Sequence, residues 1–194
     1  MKKYVMIILL GLAPFVLRAQ LETVVKLNYF PALSLGKTAD FTKNVSPRGA
    51  EFEVNSYLTQ DLSIGFSAGW NVFREKVVGE SFEYKDLLIT GTQFRYTNIV
   101  PLNLTAKKYF GSAERSPFIG IGLGTSYTRQ RLDAGIFSSI DDKWQFNLSP
   151  EAGIQRLVSP DLMISLKIKY SYSFEAAGFP SMSYLGIGMG IGIL

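Results

Sequence analysis

The sequence predicts an all-β fold, an eight-stranded antiparallel up-and-down transmembrane β-barrel with short periplasmic turns and longer extracellular loops. Three observations predict it. Residues 162–174 are apolar or aromatic at every second position, and a period of two is typical of a strand whose two faces meet different surroundings. Eight segments of strand character follow one another along the 194 residues. The links between them alternate between short and long, as they do in outer-membrane barrels.

The N-terminal residues predict an exported protein. Lys2 and Lys3 precede an apolar run that ends at Leu17, and Ala19 offers a candidate cleavage site. This order is typical of a signal peptide, here residues 1–19, which leaves residues 20–194 as one barrel domain. A single N-terminal membrane anchor is the alternative. Beyond Leu17 no apolar stretch approaches the roughly 18 residues of a transmembrane helix.

The composition excludes several classes of function. The chain has no cysteine and no histidine, which removes disulfides, thiolate chemistry and the commonest general base and metal ligand. Three of the 20 basic residues precede residue 20, which leaves 17 against 16 acidic residues. This balance gives no support to a nucleic-acid partner. Enzyme activity is not expected, since a catalytic serine would lack a histidine to activate it.

The alternation of apolar and polar residues predicts the bounds of the strands and of the links between them. No segment carries a convincing helical stripe, so we expect little helix. The short links, which are rich in turn-forming residues, are 59–61, 111–116 and 158–161. The longer links are 36–47, 76–90 and 132–142, with a shorter one at 175–181. The predicted strands are residues 24–35, 48–58, 62–75, 91–110, 117–131, 143–157, 162–174 and 182–194.

Alternation alone does not say which face points outward. A soluble, lipocalin-like barrel would point its apolar face inward and expose rows of glycine, such as Gly186 to Gly192, to water. We favour the membrane orientation because glycine suits a crowded lumen and because the aromatic residues of the apolar face collect at the long-loop ends of the strands. Such a grouping is typical of a girdle at the level of lipid headgroups. The predicted girdle comprises Trp70, Phe94, Tyr96, Tyr127, Trp144, Phe146, Tyr170, Tyr172 and Phe174.

The opposite face carries charges of both signs, which we therefore place in the lumen. A lysine or arginine facing lipid at mid-depth would cost about 2–4 kcal/mol. Glu151 lies on the strand next to Lys167 and Lys169, so we expect a contact there. The charges are interpreted either as a structural plug of salt bridges or as a pathway for a small solute. The predicted lumen network comprises Glu51, Glu53, Arg95, Lys107, Glu151, Lys167 and Lys169.

Two weaker motifs do not change this interpretation. The glycines at 120, 122 and 124 lack the strand–loop–helix context and the Lys-Ser/Thr pair of a phosphate-binding loop. Asp133 and the pair Asp141–Asp142 resemble a calcium site, but solvated loop carboxylates are far more common. We expect no cofactor and no metal.

Several stretches make the chain resemble the small outer-membrane β-barrel families of Gram-negative bacteria, which include OmpX, the OmpA membrane domain and OmpW. These stretches are 62–71, 99–104, 107–111, 117–124, 150–153 and 183–188. The resemblance implies a barrel in the lipid bilayer of the outer membrane, inserted by the barrel-assembly machinery. Such proteins commonly end in an aromatic residue, whereas this chain ends Gly192-Ile193-Leu194.

These motifs concern barrel construction, so three hypotheses for function stay open. The first is a structural or interaction role, with a plugged lumen and extracellular loops that contact an envelope protein partner. The second is a narrow channel or conduit for small solutes. The third is an accessory part of a secretion or envelope-assembly machine.

Overall fold

A computed structural model of the chain describes residues 22–84, 87–111, 115–135 and 137–194. The predicted signal peptide lies outside these residues. Among them, no helix is long and apolar enough to cross a membrane. The elements are β1 Thr23–Tyr29, β2 Ala32–Leu35, α1 Gly36–Phe41, β3 Val45–Ser46, β4 Gly49–Thr59, β5 Leu62–Tyr84, β6 Leu87–Tyr109, β7 Arg115–Ala134, β8 Phe137–Ser159, β9 Leu162–Ser173 and β10 Met182–Ile193.

The strands form a closed antiparallel ring. From β4 to β10 each strand pairs with the next one in the chain, and β1 pairs with both β4 and β10. The ring therefore has eight strands, and β2 and β3 add a short ribbon beside β10. Closure satisfies the edges that an open sheet would leave unpaired in lipid. The predicted eight-stranded up-and-down barrel is confirmed.

The first predicted strand, residues 24–35, is interrupted in its middle. β1 and β2 pair with β10 in one continuous register, from Val25 opposite Ile193 to Leu35 opposite Ser183. Pro31 lies between them and has no N–H to donate, although its carbonyl still accepts a hydrogen bond of 3.0 Å from the Ile187 amide. The interruption thus follows from proline chemistry and leaves the barrel wall intact.

Two of the predicted long loops are largely strand. β5 and β6 continue as a hairpin to Tyr84 and Leu87, and β7 and β8 do so to Ala134 and Phe137. The predictions of loops at 76–90 and 132–142 are therefore wrong in their local structure. In the predicted membrane orientation these parts of the hairpins lie beyond the bilayer, where neither face meets lipid, so the apolar alternation fades while the backbone pairing persists. Gly79, with φ of +74°, lies at an irregularity in the β5–β6 pairing.

The remaining long link folds over the extracellular mouth. Residues 36–47 contain α1 and β3, and Thr38 of α1 is fully buried. Along the strands, the outward side chains are apolar and exposed, as at Ile119, Ile121 and Leu123, whereas most of the inward ones are polar and buried. The barrel therefore has a polar interior and an apolar exterior, the reverse of a soluble core.

Candidate functional site in the barrel lumen

A compact cluster of buried charges occupies the middle of the lumen. The ammonium group of Lys167 contacts the carboxylates of Glu51 and Glu53 and lies 3.2 Å from Glu151 Oε2. Lys169 pairs with Glu51 and lies 3.9 Å from Glu151 Oε2. We call these residues, together with Lys107, the central cluster. None of its six members is more than 6% exposed.

Lys107 belongs to the cluster although its strand is not adjacent to the strands that carry its two glutamate partners. Its Nζ atom lies 2.8 Å from both Glu53 Oε2 and Glu151 Oε1, although β7 separates β6 from β8. Gly120 of β7 lies directly between Lys107 and Glu151 in the strand register. A Cβ atom at Gly120 would lie 3.0 Å from Lys107 Cγ and 3.2 Å from Glu151 Cγ. The glycine thus lets the two side chains meet across the strand.

A fourth buried lysine was missed by the sequence reasoning. Lys26 donates a hydrogen bond of 2.7 Å to Gln155 Oε1, and the Gln155 amide donates one of 2.8 Å to the Tyr57 hydroxyl. The alternation of Val25, Leu27 and Tyr29 on the outer face was the signal that could have placed Lys26 inside. With Lys26, the lumen centre holds four lysines and three glutamates, a formal charge of +1.

The three glutamates of the cluster are spaced closely enough to bind a metal ion. Carboxylate oxygens of Glu51, Glu53 and Glu151 lie within 4.8 Å of one another. The ammonium groups of Lys107, Lys167 and Lys169 already lie among them. These lysines supply the positive charge that a metal would bring, so the arrangement fits an internal salt-bridge network better than a metal centre.

Arg95 lies inside the barrel, but far from the central cluster. It is 12 residues from Lys107 along β6, about 40 Å of strand. Its Nη2 atom donates a hydrogen bond of 3.1 Å to Gln93 Oε1, and its guanidinium lies 5.9 Å from the ring centre of Phe41 in α1. The seven predicted network residues therefore separate into six at the centre and one at the extracellular mouth.

An apolar layer fills the lumen between the central cluster and the mouth. A Cβ atom at Gly188 would lie 2.8 Å from Phe30 Cδ2, so the Phe30 ring covers the glycine face of β10. The rings of Phe73 and Tyr184 lie 5.9 Å apart across the same layer. Sequence reasoning placed charges and glycines in the lumen and missed this layer. It consists of Phe30, Ala32, Phe73, Ile99, Phe179, Met182 and Tyr184.

Helix α1 is anchored over the apolar layer by threonine hydroxyls. Thr38 Oγ1 accepts a hydrogen bond of 2.8 Å from the Ser183 amide, and Thr42 Oγ1 lies 3.0 Å from Thr97 Oγ1. The Ser34 hydroxyl donates one of 2.7 Å to the Thr42 carbonyl. These bonds tie the link after β2 to β6 and β10 and close the mouth from above.

The periplasmic end of the lumen carries an aromatic layer. The rings of Tyr57 and Tyr109 lie 5.2 Å apart, and those of Tyr109 and Phe118 lie 5.6 Å apart. Lys107 Nζ lies 5.2 Å from the centre of the Phe118 ring, which connects this layer to the central cluster. The lumen is therefore filled at three successive levels.

The predicted girdle residues lie on the outer face. Tyr127 of β7 pairs with Trp144 of β8, and their rings lie 5.3 Å apart. The Phe174 ring lies 5.5 Å from that of Phe146 and 4.9 Å from that of Tyr172. Trp70 and Trp144 are both more than half exposed. Tyr170 lies beside Tyr172, whereas Phe94 and Tyr96 lie further up β6 against Arg74.

Comparison with known proteins identifies the fold. The chain is similar to the crystal structure of Neisserial surface protein A, with a TM-score of 0.58 and 12% identity over 88% of this chain and 96% of the other. It is also similar to Ail, the attachment invasion locus protein of Yersinia pestis, with a TM-score of 0.56 and 13% identity over 89% and 97%. No family model and no curated protein sequence matches the chain. The likeness establishes the small outer-membrane β-barrel fold.

Proposed function

We propose that this chain is an integral outer-membrane protein with a structural or interaction role, whose plugged and charged lumen does not conduct. The observation that carries the proposal is the central cluster, in which Lys167 is held by three carboxylates at once. The apolar layer above and the aromatic layer below add two further barriers. On this proposal, the barrel-assembly machinery inserts the protein, and the hairpins beyond Phe94 and Tyr127 are the surface offered to an envelope partner.

Energetics support a closed lumen. An ion that passes through the barrel would have to separate buried pairs such as Lys107–Glu53, whose partners are almost fully shielded from water. Removing one partner of a buried ion pair typically costs about 3–5 kcal/mol. Apart from the Tyr184 hydroxyl, the side chains of the apolar layer offer a passing ion no polar group in place of its hydration shell.

Single-channel recording in planar bilayers tests the proposal. The refolded mature protein is expected to give no unitary steps, because all three lumen layers block the bore. The variant Lys167→Gln leaves three carboxylates without their shared cation, but the apolar and aromatic layers remain, so it is expected to give no more than rare openings. Lys37→Gln is the matched control, since Lys37 pairs with Asp40 at the exposed surface. Reproducible steps in the wild-type protein that change in Lys167→Gln would contradict the plugged lumen.

A narrow conduit for small solutes is the second candidate, and one observation favours it. Four buried side-chain oxygens of uncharged residues on the lumen face of β6, β7 and β8 have no hydrogen-bond partner within the described part of the chain. They belong to Asn103, Ser126, Thr128 and Gln145. Such atoms usually bind water. A hydrated strip along β7 would carry small solutes past the apolar layer, and the wild-type recording separates this candidate from the plug.

A further inference from the structure

The outward side chains of two strands change character in the same order. Along β7, exposed Ile119 and Leu123 are followed by Tyr127 and then by Arg129 and Arg131. Along β5, apolar residues from Leu62 lead to Trp70 and then to Arg74 and Lys76. We call Arg74, Lys76, Arg129 and Arg131 the basic belt. The order from apolar to aromatic to basic matches a path from hydrocarbon through the interface to the headgroups.

The strand register brings the belt together on one face. Tyr96 of β6 pairs with Arg74 of β5 on one side and with Arg131 of β7 on the other. The Arg74 guanidinium lies 5.6 Å from the ring centres of both Phe94 and Tyr96, and Lys76 Nζ lies 5.8 Å from that of Phe94. These aromatic faces restrain the long basic side chains beside the barrel wall.

The belt lies just beyond the aromatic residues of the interface. Arg129 follows Tyr127 by two residues and Arg74 follows Trp70 by four, which is about 7 and 13 Å of strand. Because barrel strands are tilted by about 35–45°, these lengths correspond to about 5 and 10 Å along the membrane normal. The headgroup layer that flanks the hydrocarbon on each side is about 5–8 Å thick, so the belt begins within that layer. The exposed apolar residues below would contact the acyl chains of the same lipids.

Acidic neighbours only partly offset the charge of the belt. Arg131 Nε lies 2.8 Å from Asp133 Oδ1, and Asp142 stands opposite Arg129 in the register. The hydrogen bond from Arg131, together with one from Ser138, holds the pKa of Asp133 below its usual value, so this carboxylate is ionised at neutral pH. Four basic and two acidic side chains leave a formal charge of +2 on this face.

We propose that the basic belt binds the phosphate groups of anionic lipid headgroups in the outward leaflet. Arginine suits this role because its planar guanidinium donates two parallel hydrogen bonds to phosphate. A lipid fits better than a soluble anion because the belt faces sideways, directly above an apolar wall. The inference rests on the proposed membrane location.

Tryptophan quenching by brominated lipids tests the belt. Trp70 and Trp144 are the two tryptophans of the chain, and they lie on the strands at either side of β6 and β7. The refolded protein is placed in vesicles of phosphatidylcholine that contain a minor fraction of phosphatidylglycerol, with bromine on one lipid or the other. Each engaged basic side chain should favour the anionic lipid by about fivefold. Brominated phosphatidylglycerol should therefore quench well beyond its share of the mixture.

The triple variant Arg74→Gln, Arg129→Gln, Arg131→Gln is expected to lose this excess quenching, because little basic charge remains at the interface. The control Lys108→Gln, an exposed lysine at the opposite rim, should keep it. Circular dichroism establishes that each variant is folded. Quenching in proportion to lipid composition in the wild type, or an unchanged excess in the triple variant, would overturn the belt alone. No quenching by either lipid would overturn the membrane location as well.

Discussion

At the scale of single residues, the buried lysines differ in how fully their charge is compensated by neighbouring groups. Lys107 Nζ pairs with two carboxylate oxygens, each at 2.8 Å, whereas Lys26 donates to the neutral amide of Gln155. Both side chains are almost fully shielded from water. A buried charge is costly unless charged partners compensate it, so the two lysines should contribute very differently to stability.

Replacement of each lysine by methionine should separate these roles. Lys107→Met leaves the three carboxylates of the central cluster to share the ammonium groups of Lys167 and Lys169, and with them one uncompensated buried charge. It is therefore expected to lower the free energy of unfolding by about 3–5 kcal/mol. Lys26→Met removes an expensive charge and leaves one neutral acceptor unpaired, so its loss should not exceed about 1–2 kcal/mol. Urea titration of the protein in lipid vesicles measures both. Equal losses would show that Lys26 is as strongly paired as Lys107.

At the scale of elements, glycines and threonines decide which segments approach one another. Gly120 lets side chains of β6 and β8 meet across β7. Thr38 and Thr42 attach the short helix α1 to β10 and β6. A helix of six residues is not stable in isolation, so its place in the mouth depends on these tertiary hydrogen bonds.

Thr38→Val tests this attachment with little change of shape. It leaves the Ser183 amide without its acceptor, and the expected loss of stability is about 1–3 kcal/mol. Hydrogen exchange at the Ser183 amide should accelerate, while exchange at the Ile187 amide, which donates to the Pro31 carbonyl, should not. The control is Thr59→Val, because Thr59 donates to Asp61 in an exposed turn. Unchanged exchange at Ser183 would show that the hydrogen bond between Thr38 and Ser183 does not hold α1 in place.

At the scale of the whole molecule, the barrel combines an apolar outer band with a lumen filled at three levels. On the proposed membrane location, the outer band orients the protein in lipid, and the two tryptophans should mark the edge of that band nearest the long hairpins. Trp70 lies on β5 and Trp144 on β8, and both face outward.

Measured tryptophan depth should agree between the two sites. In Trp70→Phe and Trp144→Phe variants, the remaining tryptophan should be quenched more by bromine near the glycerol backbone than by bromine near the acyl-chain end, because both rings lie at the interface. Aqueous acrylamide should quench either one only weakly. Strong acrylamide quenching with no effect of brominated lipid would contradict the transmembrane orientation.

Features that depend on local interactions were predicted from the sequence, and features that depend on long-range interactions were not. The alternation of outward residues such as Ile187 and Met189 with glycines is local, so it predicted the strands, their number and their two faces. It did not predict the hairpins beyond Tyr96, where neither face meets lipid in the proposed orientation and the alternation loses its physical cause.

By itself, the sequence determined that the chain builds a two-faced, eight-stranded barrel, because the period of a strand and the difference between lipid and lumen are visible residue by residue. Only the tertiary structure decided which lumen residues meet. Lys167 reaches carboxylates from β4 and β8, while Arg95 remains at the mouth. These contacts depend on the strand register and on the space that glycines leave. Both are set by strand pairing around the closed ring, so the sequence of a single segment does not reveal them.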